Sequence, residues 1–70
     1  MTTTAVQDYL KTIHDLSRGG TPAPTSLIAE RLGLAAGSVT GMLKRLAEQG
    51  LVEHVPYYGA RLTATGEEEA

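Results

Sequence analysis

The stretch IAERLGLAAGSVTGM, Ile28 to Met42, decides how this chain folds. Two helices that cross closely through a short turn need a small residue at the crossing, a residue that tolerates positive φ in the turn, and apolar supports on either side. Ala29 supplies the first, Gly33 the second, and Ile28, Leu32, Leu34, Val39 and Met42 the third. A plain helical hairpin would not require both the alanine and the glycine at this separation, so the stretch reads as a helix-turn-helix.

Working outward, Val6, Tyr9, Leu10, Ile13 and Leu16 recur at helical spacing, and Thr4 to Gln7 has the form of a capping box. This is a first helix of about four turns that stops at Gly19-Gly20. Thr21-Pro22-Ala23-Pro24 is an extended connection, because the residue before a proline is pushed away from the helical region. Thr25 or Ser26 is expected to cap a second helix ending at Gly33. A third helix spans about residues 36–49 and closes at Gly50. Leu51 to Val55 reads as a strand, Pro56-Tyr57-Tyr58-Gly59 as a turn, and Arg61-Leu62-Thr63 as the returning strand. Thr63 is placed to cap a fourth helix, whose early Glu67, Glu68 and Glu69 suit the positive end of a helix dipole. The order is that of a winged helix-turn-helix: mainly α, with three helices, a two-stranded wing and the start of a fourth helix.

Seventy residues with 41% apolar content make one domain, residues 1–70, with a modest core and no room for a large catalytic cleft. A helix as short as the fourth does not hold unaided, so the chain is expected to be cut from a longer protein. Without cysteine the chain has neither a disulfide framework nor a cysteine zinc site, and a reducing compartment is permitted. No leader-like segment and no run near the ~18 apolar residues of a membrane span is present, which points to a cytoplasmic protein with no membrane partner. No nucleophile–base pair or phosphate-binding loop can be assembled, so an enzyme with a small-molecule substrate is not expected.

The net charge of −2 argues at first sight against nucleic acid. Three of the eight acidic residues are the terminal glutamates, however, and residues 1–66 carry six basic and five acidic groups. On a helical wheel Val39, Met42, Leu43 and Leu46 share one face of the third helix. Gly37, Thr40, Gly41, Lys44, Arg45 and Glu48 share the other, with Ser38 at the border. Small hydroxylated residues at the N-terminal half would let the backbone approach base edges in a major groove. Ser38 and Thr40 suit phosphate or base contacts, Thr40 also a thymine methyl, and Lys44 and Arg45 phosphates. The plain alternative is a solvated face with a Lys44–Glu48 pair at i,i+4. In the wing, the tyrosine hydroxyls can reach the sugar-phosphate backbone, or Tyr57 can instead pack on the hairpin's own base, and Arg61 is a candidate phosphate partner. His14, near the margin of the first helix's buried face, reads as a packed histidine, and His54 has no ligand-spaced partner.

VQDYLKTIH, IAERLGLAAGSVTGMLKRLAEQGLV and YYGARLTATG together resemble the N-terminal domain of the diphtheria toxin repressor family, the iron- or manganese-dependent transcriptional repressors. The resemblance covers nearly the whole chain, and SVTGMLKRLAEQGLV with a G-x-x-LT-x-x-G close is its specific part. It implies a homodimeric repressor that binds palindromic operators in double-stranded DNA when Mn²⁺ or Fe²⁺ is present. The dimerisation region and most metal ligands would then lie beyond these residues, and this chain alone would hold no metal stably. The family's first-helix metal ligand falls on Asp8, and an aspartate there leans toward manganese, a hard oxygen ligand suiting that ion. Taken alone, Asp8 reads as a solvated acid paired with Lys11. The family's DNA-facing residues fall on Thr25, Ser26, Ser38, Thr40, Gly41, Arg45 and Tyr58. Ala35-Ala36 stands where a Ser-Pro helix start is common, Lys11 where manganese-responsive members often carry a second carboxylate, and Tyr58 where arginine is frequent. Phosphate affinity is therefore expected to be lower than in the most basic members. A winged-helix protein-interaction module without DNA contact is the competing expectation, favoured by the net charge and the sparse wing.

Overall fold

The computed structural model describes residues 4–55 and 58–69. The elements are α1 (Thr4–Leu16), a single 3-10 turn (Arg18–Gly20), α2 (Thr25–Leu32), α3 (Ala36–Glu48), β1 (Val52–Val55), β2 (Gly59–Leu62) and α4 (Ala64–Glu69). The helix-turn-helix and wing expected from the sequence are thus present in the expected order. Tyr57 and Pro56, at the expected wing turn, lie outside the described residues, as does the N-cap position of α1.

α1, α2 and α3 bury their apolar stripes against one another: Leu10, Ile13, Ile28, Val39, Leu43 and Leu46 are fully buried, with Tyr9 and Ala29 nearly so. Burial pushes the Tyr9 hydroxyl above its ordinary pKa, because the phenolate loses solvation in the core. Ala29 sits where a larger side chain would push α2 away from its neighbours. Leu34 departs from the expected support role: it is 45% exposed, since it follows the turn and its backbone rather than its side chain closes α2. Its N–H donates to the Ala29 carbonyl at 2.9 Å, and that of Gly33, at φ 69°, to Glu30 at 3.3 Å. Gly50, at φ 76°, ends α3 the same way, with Leu51 N–H donating to Leu46 at 2.9 Å. Each glycine supplies the left-handed residue with which a Schellman cap ends a helix.

The start of α2 differs from expectation, whereas those of α3 and α4 fall where expected. Pro24 is the N-cap of α2 and Ala35 that of α3, neither with a side-chain cap bond, so Thr25 and Ser26 lie inside the first turn of α2. Pro24 in an extended conformation stops anything helical from preceding it, which fixes the start one residue earlier than a hydroxyl cap would. Thr63 does cap α4, its hydroxyl accepting from Gly66 N–H at 3.0 Å.

β1 and β2 pair antiparallel with Val52 opposite Leu62, Glu53 opposite Arg61, His54 opposite Ala60 and Val55 opposite Gly59. The returning strand therefore runs Gly59–Leu62 rather than from Arg61 to Thr63. Ala23 adds a third, one-residue rung: its N–H donates to Ala60 at 2.7 Å and its carbonyl accepts from Ala60 at 3.0 Å. This rung ties the wing to the residue just ahead of α2. Gly59, at φ 129°, allows it, because a Cβ there would fall on the Ala23 carbonyl.

Candidate nucleic-acid interface

The outer face of α3 is the candidate surface. Val39, Leu43 and Leu46 anchor its inner face, with Met42 half-buried beside them, while Gly37, Ser38, Gly41, Lys44 and Arg45 are exposed. That partition is the one the helical wheel gives. A shallow groove of about 360 Å³ runs along the outer face, lined by Gly37, Ser38, Gly41, Met42 and Arg45 and walled on the α1 side by Tyr9. A Cβ at Gly37 or Gly41 would meet nothing within 4 Å, so these glycines are not demanded by packing. They leave backbone uncovered on the surface where another molecule would approach.

Thr40 is half-buried, and its hydroxyl donates to the Ala36 carbonyl one turn back at 3.0 Å. The hydroxyl hydrogen is thereby used inside the helix, leaving the methyl and the oxygen's remaining lone pairs for any outside contact. Lys44 and Arg45 make no ion pair among the described residues, so the Lys44–Glu48 pair of the plain alternative is not formed. Two cations are therefore available at mid-helix.

Thr25, half-buried, and Ser26, exposed, occupy the first turn of α2. There the backbone N–H groups lack intrahelical partners and the dipole favours an anion. Tyr58 is 68% exposed on the described part of the wing, its N–H donating to Val55 at 3.1 Å. The packing expected as an alternative for Tyr57 falls outside the described residues.

Arg61 is engaged. Its Nη2 and Nε donate to Glu53 Oε1 at 2.8 and 3.2 Å, across the rung that the register sets. Sequence reasoning treated Arg61 as a free cation and missed Glu53. The signal was present in the alternation of the two strands, which places the two residues opposite each other once the turn is centred on residue 57.

Asp8 is exposed near the start of α1 beside a depression lined by Ala5, Tyr9, Leu32 and Leu34. It does not pair with Lys11: the i,i+3 separation brings the two into reach, but both side chains extend into solvent. Among the described residues no three His, Cys, Asp or Glu side chains gather to hold a metal. Asp8 thus offers one hard oxygen donor, and these residues alone do not form a metal centre. His14 is exposed rather than packed, lying over Lys11, Asp15 and Glu67 on the side of α1 that faces α4. Its place on the wheel is one step past the buried stripe of Leu10 and Ile13. No described helix is long and apolar enough to cross a membrane.

Comparisons with known proteins agree with this architecture. Residues 1–60 match the family described as iron dependent repressor, N-terminal DNA binding domain. The transcriptional regulator MntR of Escherichia coli is 45% identical over 65 residues, covering 93% of this chain and 42% of that protein. A crystal structure of a hypothetical protein from Sulfolobus solfataricus superposes with a TM-score of 0.88 at 30% identity, over 96% of this chain and 51% of the other. The crystal structure of T. acidophilum IdeR superposes at 0.85 with 28% identity, over all of this chain and 33% of that one. The chain therefore spans about two fifths of the length of its MntR relative. The chain belongs to the iron-dependent repressor family of metal-dependent transcriptional regulators and is a winged-helix DNA-binding domain of that family.

Proposed function

We propose that the protein acts as a homodimeric repressor that docks α3 into the major groove of a palindromic operator when Mn²⁺ or Fe²⁺ is bound. The observation that carries the docking is the uncovered, lightly basic outer face of α3: Gly37 and Gly41 open, Lys44 and Arg45 unpaired among the described residues. Ser38, Gly41 and the Thr40 methyl meet base edges, with the methyl suited to thymine. Lys44 and Arg45 bind phosphates a turn later and set register. Thr25 and Ser26 present the first turn of α2 to a phosphate, and Tyr58 reaches the sugar-phosphate backbone from the wing. Arg61 is the wing's phosphate cation once it is released from Glu53.

Asp8 contributes one ligand to a metal whose other ligands come from outside these residues. An aspartate oxygen leans toward manganese over softer choices. A cytoplasmic location fits a protein that must reach the chromosome.

The test is a titration of operator duplex with the metal-loaded full-length protein at several salt concentrations. A major-groove reader that neutralises Z phosphates loses affinity with a log–log slope of about −0.9Z. With Lys44 and Arg45 at each half-site, a slope of roughly −4 is expected for the dimer. A slope near zero would reject the docking and favour a protein-interaction module.

A further inference from the structure

Of the six basic side chains, Lys11, Arg18, Arg31, Lys44 and Arg45 make no ion pair among the described residues, whereas Arg61 makes one. Its partner is not accidental. The register puts Glu53 directly across the hairpin from Arg61, so their Cβ atoms rise from the same face about 5 Å apart. Both donors of the side-on edge of the guanidinium, Nε and Nη2, converge on the single oxygen Oε1. That edge is the one by which arginine grips a phosphate with two parallel bonds.

The geometry points to Glu53 as an intramolecular stand-in for a DNA phosphate, an autoinhibitory contact that withholds Arg61 until DNA competes for it. Two properties make the contact a competitor rather than a permanent lock. The side chains are 46% and 59% exposed, and an exposed pair of this kind is weak and screened by salt. Both bonds end on one carboxylate oxygen, so a phosphate that offers two oxygens to the same edge makes the better-matched acceptor. The consequence is large for this protein because its recognition helix brings only Lys44 and Arg45. A third cation masked in the free state lowers binding to any DNA and leaves the gain to sites where a phosphate lies within reach of the wing. Glu53 is thus an affinity-setting residue that need not touch DNA.

The inference rests on the docking proposed above. It is tested with the metal-loaded full-length protein and operator duplex, by fluorescence anisotropy over a series of salt concentrations, using wild type, Glu53→Gln, Arg61→Gln and the double variant. Glutamine keeps the shape and an amide oxygen but removes the charge. The expected result is that Glu53→Gln binds about two- to fivefold tighter per protomer, the range to which the strength of one exposed pair converts. Its salt slope should steepen by up to about 0.9 per protomer. In the Arg61→Gln background both changes should vanish. An equal gain from Glu53→Gln in that background would mean that Glu53 acts only through bulk charge, and a loss of affinity in Glu53→Gln would mean that it orients Arg61 for DNA; either overturns the inference while leaving the docking intact. Absence of salt-sensitive binding by the wild type would instead overturn the docking and this inference with it.

Discussion

The Thr63 hydroxyl donates to the Gly50 carbonyl at 2.6 Å, so the residue that starts α4 is tied to the residue that ends α3. The same oxygen accepts from Gly66 N–H at 3.0 Å, and Thr63 N–H donates to Leu51 at 3.1 Å. One side chain therefore caps α4 and satisfies a carbonyl that the end of α3 leaves open. α4 is short, and this latch ties its start to the end of α3.

Thr63→Ala removes both roles and is expected to lower unfolding stability by about 1–2 kcal/mol, the usual loss for a cap with a second bond. Thr63→Ser should retain most of it. Urea denaturation of the two variants checks this, and equal losses would show that the hydroxyl is not what matters.

Glycines of this chain divide into those that packing demands and those it does not. A Cβ at Gly66 would fall on the Leu51 carbonyl, and one at Gly59 on the Ala23 carbonyl, with φ 129° adding strain. Alanine at either position should cost more than about 2 kcal/mol, since backbone on both sides must move. Alanine at Gly41, which faces open space inside α3, should stabilise the fold by up to about 1 kcal/mol. Thermal melts that ranked the three the other way would contradict the packing described.

Leu43 is fully buried on the inner face of α3. Leu43→Ala should destabilise by about 2–5 kcal/mol, most of a small domain's margin. Chemical denaturation reads this directly.

Much of this was legible in the sequence because the signals were local. The apolar period of α1 and α3, the Ala29–Gly33 pair and the caps at Gly33 and Gly50 each depend on residues within a turn or two. The G-x-x-LT-x-x-G close was visible as a pattern, but its reason was not. Gly59 is required by Ala23 and Gly66 by Leu51, residues far away or on another element, and neither contact has a signature in spacing. The same holds at the candidate interface. The wheel assigned the exposed face of α3, whereas the Glu53 contact on Arg61 needed the strand register and the Thr40 bond to Ala36 needed the rotamer. Leu34 was misplaced because it lies in the turn, on neither helix's apolar stripe, and His14 because it sits at the edge of the stripe of α1, where a small rotation decides exposure.

Thr40 carries the proposed base preference through its methyl, its hydroxyl being bonded to Ala36. Thr40→Val should therefore keep the preference at one position of each half-site, and Thr40→Ala should relax it, by roughly 1–3 kcal/mol of discrimination at most. Binding to a panel of operators varied at single positions distinguishes the two, and loss of preference in Thr40→Val would return the role to the hydroxyl.

The central claim is that the outer face of α3 meets the DNA. Arg45→Ala in the full-length protein tests it most directly, measured as operator affinity across salt concentrations. Docking of this face on DNA requires weaker binding by a similar factor on every sequence and a salt slope shallower by about 0.9 per protomer. Unchanged affinity with an unchanged slope would contradict it.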